Sequence, residues 1–114
     1  MRDEDRIRIR HMLDAARDAV GFARGRARSD LACDRQFALA LVKCVEIVGE
    51  AASQVSGETH AEIPHLAWVD IINMRHRLVH AYYDINLGVL WSTVCEDLPQ
   101  LIAALEAVPG IEES

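Results

Sequence analysis

The stretch Arg75-His76-Arg77-Leu78-Val79-His80-Ala81-Tyr82-Tyr83-Asp84 gathers guanidinium, imidazole, phenol and carboxylate groups at the end of an otherwise apolar segment. Those groups suit metal-free cleavage of RNA. A histidine titrating near neutral pH can take the proton of a ribose 2′-OH. A guanidinium can hold the doubly anionic phosphorane through two parallel hydrogen bonds, and the product would be a 2′,3′-cyclic phosphate. On an ideal helix Arg75 and Tyr82 align two turns apart, His76 and His80 share a face, and Arg75 and His80 stand roughly 140° apart, flanking a common edge. A phosphate lying across that edge, or at a two-fold axis, could touch both. The same residue types also describe a solvated helix C-terminus that balances the helix dipole. His76 and His80 could begin a metal site, but no carboxylate or thiol stands at an obvious third-ligand spacing, so neither a metal nor a cofactor is expected.

Four main helices must position this stretch. In the first, Ile9, Leu13, Ala16, Val20 and Ala23 trace one apolar face that should end near Gly25. Asp30 or Asp34 can cap the second, where Phe37, Leu41, Cys44, Val48, Ala51 and Val55 form a stripe widened by Ala38, Val42, Val45 and Ala52. Lys43, Glu46 and Glu50 are left as its narrow polar line, and Gly57 should stop it. The third helix is expected after the turn-like SGETHAEIP, with Pro64 near its first turn and Trp68, Ile71, Ile72, Met74, Leu78 and Val79 as its apolar surface, fraying around residues 81–84. The fourth, capped by Asp84 or Asn86, runs through Leu87, Leu90, Trp91, Val94, Leu98, Leu101 and Leu105, with a bend available at Pro99. The expected architecture is all-α, an up-down helical bundle of four main helices forming one domain over residues 1–114. Such wide apolar faces on so short a chain favour a homodimer.

Composition supports helices over sheet: 51% of the 114 residues are hydrophobic but only 5% aromatic. The net charge of −6 is unevenly spread. Residues 1–35 hold nine Arg against seven acids, whereas residues 36–114 hold only Lys43, Arg75 and Arg77 against eleven. An extended phosphate-tracking surface within one protomer is therefore not expected, although a compact site for one phosphate is. Cys33, Cys44 and Cys95, odd in number and without CxxC spacing, read as buried reduced thiols. With a charged N-terminus and no long apolar run, neither secretion nor a membrane partner is expected, and the location should be cytoplasmic.

The segment WVDIINMRHRLVHAYYDIN resembles the signature of HepT-like HEPN proteins, which is Arg, four residues, His, one residue, Tyr, here Arg75, His80 and Tyr82. EIVGEAASQVS (residues 46–56) resembles that family's central helix, Ile63, Pro64 and Trp68 match the entry to its third helix, and VLWSTVCEDLPQLIAALEAV resembles its last. The resemblance implies a dimeric toxin ribonuclease of a type VII HEPN/MNT toxin–antitoxin pair, acting on tRNA or mRNA, with its site where two motif helices meet. It implies Arg75 and His80 as the catalytic pair. It also implies Tyr82 as the residue that an MntA-like nucleotidyltransferase antitoxin modifies by attaching AMP. His76 departs from the Asn that many relatives carry after the motif Arg; it and Arg77 are auxiliary candidates at most.

Simpler roles suit the remaining residues. His11, His60 and His65 read as surface residues, Trp68 and Trp91 as core anchors, and the arginines of GRARSD as loop residues. Glu46 and Glu50 read as a solvated face or an intersubunit ion pair, with lining the site as the sharper alternative. The competing function is a non-catalytic helical subunit that binds a nucleotide or the nucleotidyltransferase.

Overall fold

Helix α1, Asp3–Ala23, buries Ile9, Met12, Leu13, Ala16 and Ala19, and places Asp3, Glu4 and Asp5 in its first turn, where carboxylates face the positive end of the helix dipole. It ends before Gly25, whose φ of 75° is readily available only without a Cβ. The structure, a computed structural model, describes residues 1–81 and 84–111, and of His80 and Ala81 the backbone alone.

A short helix α2, Asp30–Cys33, leads into the central α3, Arg35–Gln54. Of the two candidate caps, Asp34 is the one that caps α3, while Asp30 is the first residue of α2 and bonds back to the loop before it. The Asp34 carboxylate accepts the Phe37 N–H at 3.0 Å, and that of Asp30 accepts the Ala27 N–H at 2.7 Å. The Phe37 N–H and then the neighbouring Arg26 hold the Asp34 carboxyl below its ordinary range. Arg26 spans Asp30 and Asp34 and lies 3.9 Å over the Phe37 ring, so this arginine of the GRARSD loop fastens the entry to α3. All ten apolar positions assigned to the second helix are buried. Leu39 and Ile47, however, are exposed beside Lys43 and Glu50.

Beyond α3 the elements are shorter than the periodicity implies. Gly57 starts a helix rather than merely stopping one: α4, Gly57–Glu62, is capped by the Ser56 hydroxyl on the Thr59 N–H. The loop after it is braced by the indole N–H of buried Trp68, which donates to the Ile63 carbonyl. His60 is no simple surface residue. Its ring stacks on Trp68 at 4.1 Å, and its Nε2 lies 3.1 Å from the Ala52 carbonyl, which can only accept. The expected third helix is two, α5, Trp68–Ile72, and α6, Met74–Leu78, separated by Asn73 at φ −92°, ψ 6°. Asparagine tolerates that bridge-region backbone and is a weak helix former.

At Val79 the chain turns extended. Strands β1, Val79–Ala81, and β2, Asp84–Ile85, pair antiparallel, with the Asn86 N–H on the Leu78 carbonyl. β-Branched Val79 prefers this extended geometry to a further helical turn. Asn86 then caps α7, Leu87–Ser92, through the Val89 N–H. A π-helical turn over Thr93–Asp97 joins it to α8, Leu98–Glu106. Pro99 has no N–H to offer a regular turn, and the wider π turn absorbs the defect where a bend was expected.

The fold is all-α apart from this two-stranded hairpin. Its core lies between α1, α3 and α8, closed by Leu78, Leu90, Val94 and Leu98. Of the cysteines only Cys44 is buried; Cys33 and Cys95 are exposed, because they face outward near helix ends. No described helix is long and apolar enough to cross a membrane.

Candidate active site

Arg75 lies on α6 and projects toward α3. Its Nε donates to Glu46 Oε1 at 2.8 Å, while Glu46 Oε2 lies 3.8 Å from Lys43 Nζ. The local sequence permits this approach through Gly49, three residues along α3 from Glu46. A Cβ at Gly49 would sit 3.1 Å from the Ile72 carbonyl oxygen and 3.3 Å from that of Ile71. Glycine therefore lets the backbone of α5 rest on α3, and α6 follows at once.

The pair is partly solvated, with 49% of the Arg75 side chain and 31% of that of Glu46 exposed. An ion pair in such surroundings contributes little to stability and exchanges partners readily. The carboxylate engages the Nε–H alone. Among the described residues the two terminal nitrogens of Arg75 have no partner, so the outer fork of the guanidinium remains available to a planar or tetrahedral oxyanion.

That fork borders a groove of about 490 Å³ between α1 and α3, lined by Arg8, His11, Lys43, Ile47, Glu50 and Gln54 as well as by the pair itself. Arg8 and His11 were not singled out by the motif. Their i, i+3 spacing on α1 is the signal that places them on one face. Glu46 takes the sharper of its two sequence readings, since it touches the motif arginine directly.

The other motif residues are distributed differently from a helical projection. Because α6 ends at Leu78 and β1 follows, Arg75 and His80 are not related by a 140° helical rotation, and His76 and His80 do not share a helix face. The His80 side chain and all of Tyr82 and Tyr83 lie outside the described residues. His76 is exposed and is not among the groove-lining residues. Arg77 lines a separate cavity with His65, Asp70, Met74 and Asp97, and its Nη2 reaches the Asp70 carbonyl at 3.5 Å. Within a protomer Arg75 and Arg77 therefore serve different surfaces. Among the described residues no group of three or more His, Cys, Asp or Glu is placed to hold a metal ion.

A second polar cluster, also unanticipated, is buried. Asp5 on α1 is 3% exposed and accepts from the Ser56 N–H at 2.9 Å and from the hydroxyls of Ser56 and Thr59 at 2.6 Å each. Burial raises its carboxyl pKa, but these bonds and the charge of Arg2 more than offset that and lower it to about 2. The cluster ties the start of α1 to the cap of α4.

Comparison with known proteins places the chain among relatives. The family described as "Ribonuclease HepT-like" matches residues 12–108. "Probable ribonuclease HepT" of Thermococcus cleftensis is 34% identical over 85 residues, covering 75% of this chain and 77% of that protein. A Methanocaldococcus jannaschii protein provisionally named an RNase is 26% identical over 97 residues, covering 85% and 89%. Another, from Caldanaerobacter subterraneus subsp. tengcongensis, is 27% identical over 93 residues, covering 82% and 83%. No solved structure matches the chain significantly.

Proposed function

The chain belongs to the HepT-like ribonuclease family, and from that premise we propose that it is a toxin endoribonuclease cutting tRNA or mRNA without a metal ion. His80 accepts the proton of a ribose 2′-OH, whose oxygen attacks the adjacent phosphorus. The P–O5′ bond breaks as the 5′-oxygen takes a proton from solvent water, and a 2′,3′-cyclic phosphate remains. Arg75 holds the non-bridging oxygens as charge builds on them. The observation that carries this reading is the state of Arg75: its Nε donates to Glu46 while, among the described residues, its terminal nitrogens have no partner and border an open groove. A guanidinium steadied at one edge is oriented for bidentate capture of phosphate at the other.

We place the working site at the seam of a homodimer, where two copies of Arg75 would offset the acidic charge. The antitoxin is an MntA-like nucleotidyltransferase. The Tyr82 phenol oxygen attacks the α-phosphorus of ATP, pyrophosphate leaves, and the attached AMP repels RNA at the site.

In the experiment, purified protein is incubated with tRNA and mRNA in the presence of a chelator. Cleavage lost in both Arg75→Ala and His80→Ala supports the proposal, and cleavage retained in both ends it. Intact-mass measurement after incubation with the nucleotidyltransferase and ATP reads the regulatory step, with AMP increments that disappear in Tyr82→Phe.

A further inference from the structure

We propose that the groove between α1 and α3 is the track for the single-stranded RNA that flanks the scissile phosphate, with Arg8, His11 and Lys43 as its phosphate contacts. The proposal rests on the ribonuclease reading above and extends it to residues outside the motif. Charge placement is the first argument. Residues 36–114 contain only three lysines and arginines, Lys43, Arg75 and Arg77, and two of these line this one groove. Arg8 and His11 join them from α1, in a chain whose net charge is −6. The second argument is partnering. Of the arginines on α1, Arg8 has no ion-pair or hydrogen-bond partner among the described residues, while Arg6, Arg10 and Arg17 are engaged. The third is the lining itself: exposed Ile47 offers apolar surface to a ribose or base, and Gln54, whose Nε2 donates to Glu50 Oε1 at 2.9 Å, keeps its amide oxygen for a base edge. Three cationic side chains, Arg8, Lys43 and Arg75, outnumber the carboxylates Glu46 and Glu50 in this lining, and a net positive groove that tracks the phosphates is one component of a single-stranded RNA site.

The test uses the full-length protein and a short fluorescent single-stranded RNA of mixed sequence, 2′-O-methylated so that it cannot be cut. Arg8→Ala combined with Lys43→Ala should weaken binding at least tenfold. It should also flatten the slope of log K against log salt by about 1.4, at roughly 0.7 per phosphate contact. Arg6→Ala, removing the same charge from the opposite side of the Arg8 turn, should change neither. Unchanged affinity and slope in the double variant overturn the proposal. So does a shift from dimer to monomer in light scattering with RNA affinity intact, which would assign the groove to a second copy. His80→Ala, measured in parallel on cleavable RNA, keeps the two readings apart. Its retained cutting would refute the catalytic assignment without altering the binding result.

Discussion

Two carboxylates in this molecule do opposite work. Asp5 is enclosed, accepts three hydrogen bonds from two residues and joins two helices. Glu46 is partly solvated and spends its oxygens on Lys43 and Arg75, both of which face an open groove. A buried carboxylate held by three hydrogen bonds is costly to disturb. A solvated one beside a guanidinium contributes little to stability and yields easily to a phosphate. The first belongs to the scaffold and, on the proposed reading, the second to the chemistry, although both are acids bridging an early helix to a later one.

Substituting each acid should separate these roles. The largest effect is expected for Asp5→Ala, which strands the Ser56 N–H and the Thr59 hydroxyl and should cost about 3 kcal/mol in chemical unfolding. The folded fraction should keep its RNase activity. Acid should imitate the substitution in the parent. The folded pKa of Asp5 is about 2 against an ordinary 3.8, so its contribution is complete above the higher value and lost as pH falls through the lower. The linked stability is about 2 kcal/mol, and an acid-unfolding curve should move to higher pH in the variant by that measure.

Next in size is Gly49→Ala. The new methyl would press on the Ile71 and Ile72 carbonyl oxygens and should cost about 1–3 kcal/mol. It should also lower turnover, because α5 pushed away from α3 carries Arg75 away from Glu46. A loss of stability with turnover unchanged would show that the approach of these helices does not position the arginine. The smallest effect is expected for Glu46→Gln, which retains an acceptor for the Arg75 Nε–H but removes the charge. Stability should change by less than about 1 kcal/mol, with kcat falling a few-fold and the RNA Kd unchanged or improved. A large loss of stability would place Glu46 with Asp5 instead.

Much of this contrast was legible in the residues, and the remainder has physical reasons. The apolar faces of α1, α3 and the last helices follow the 3.6-residue period, and their buried positions match it closely, from Ile9 to Leu105. Periodicity failed at the motif because apolar spacing continues through Leu78 and Val79 while the backbone changes from helix to strand. Asn73 and β-branched Val79 carried the local warnings. The Asp5 cluster was hidden because its partners lie 51 and 54 residues away, beyond any local pattern. Glu46 was visible as a polar residue on a largely buried helix, but its bond to Arg75 depends on the close packing that Gly49 allows. Arg8 and His11 sit on the unremarked polar side of α1 and acquire meaning only when α3 is laid beside it.

The assignment of chemistry to the second region turns most directly on single-turnover cleavage of RNA in excess chelator by the parent and by His80→Ala and Arg75→Ala, each shown to be folded by thermal unfolding. The account predicts a cyclic-phosphate product from the parent and at least about a hundredfold slower cutting by each variant, with Tm nearly unchanged for exposed Arg75. Cleavage by both variants at the parental rate would contradict it.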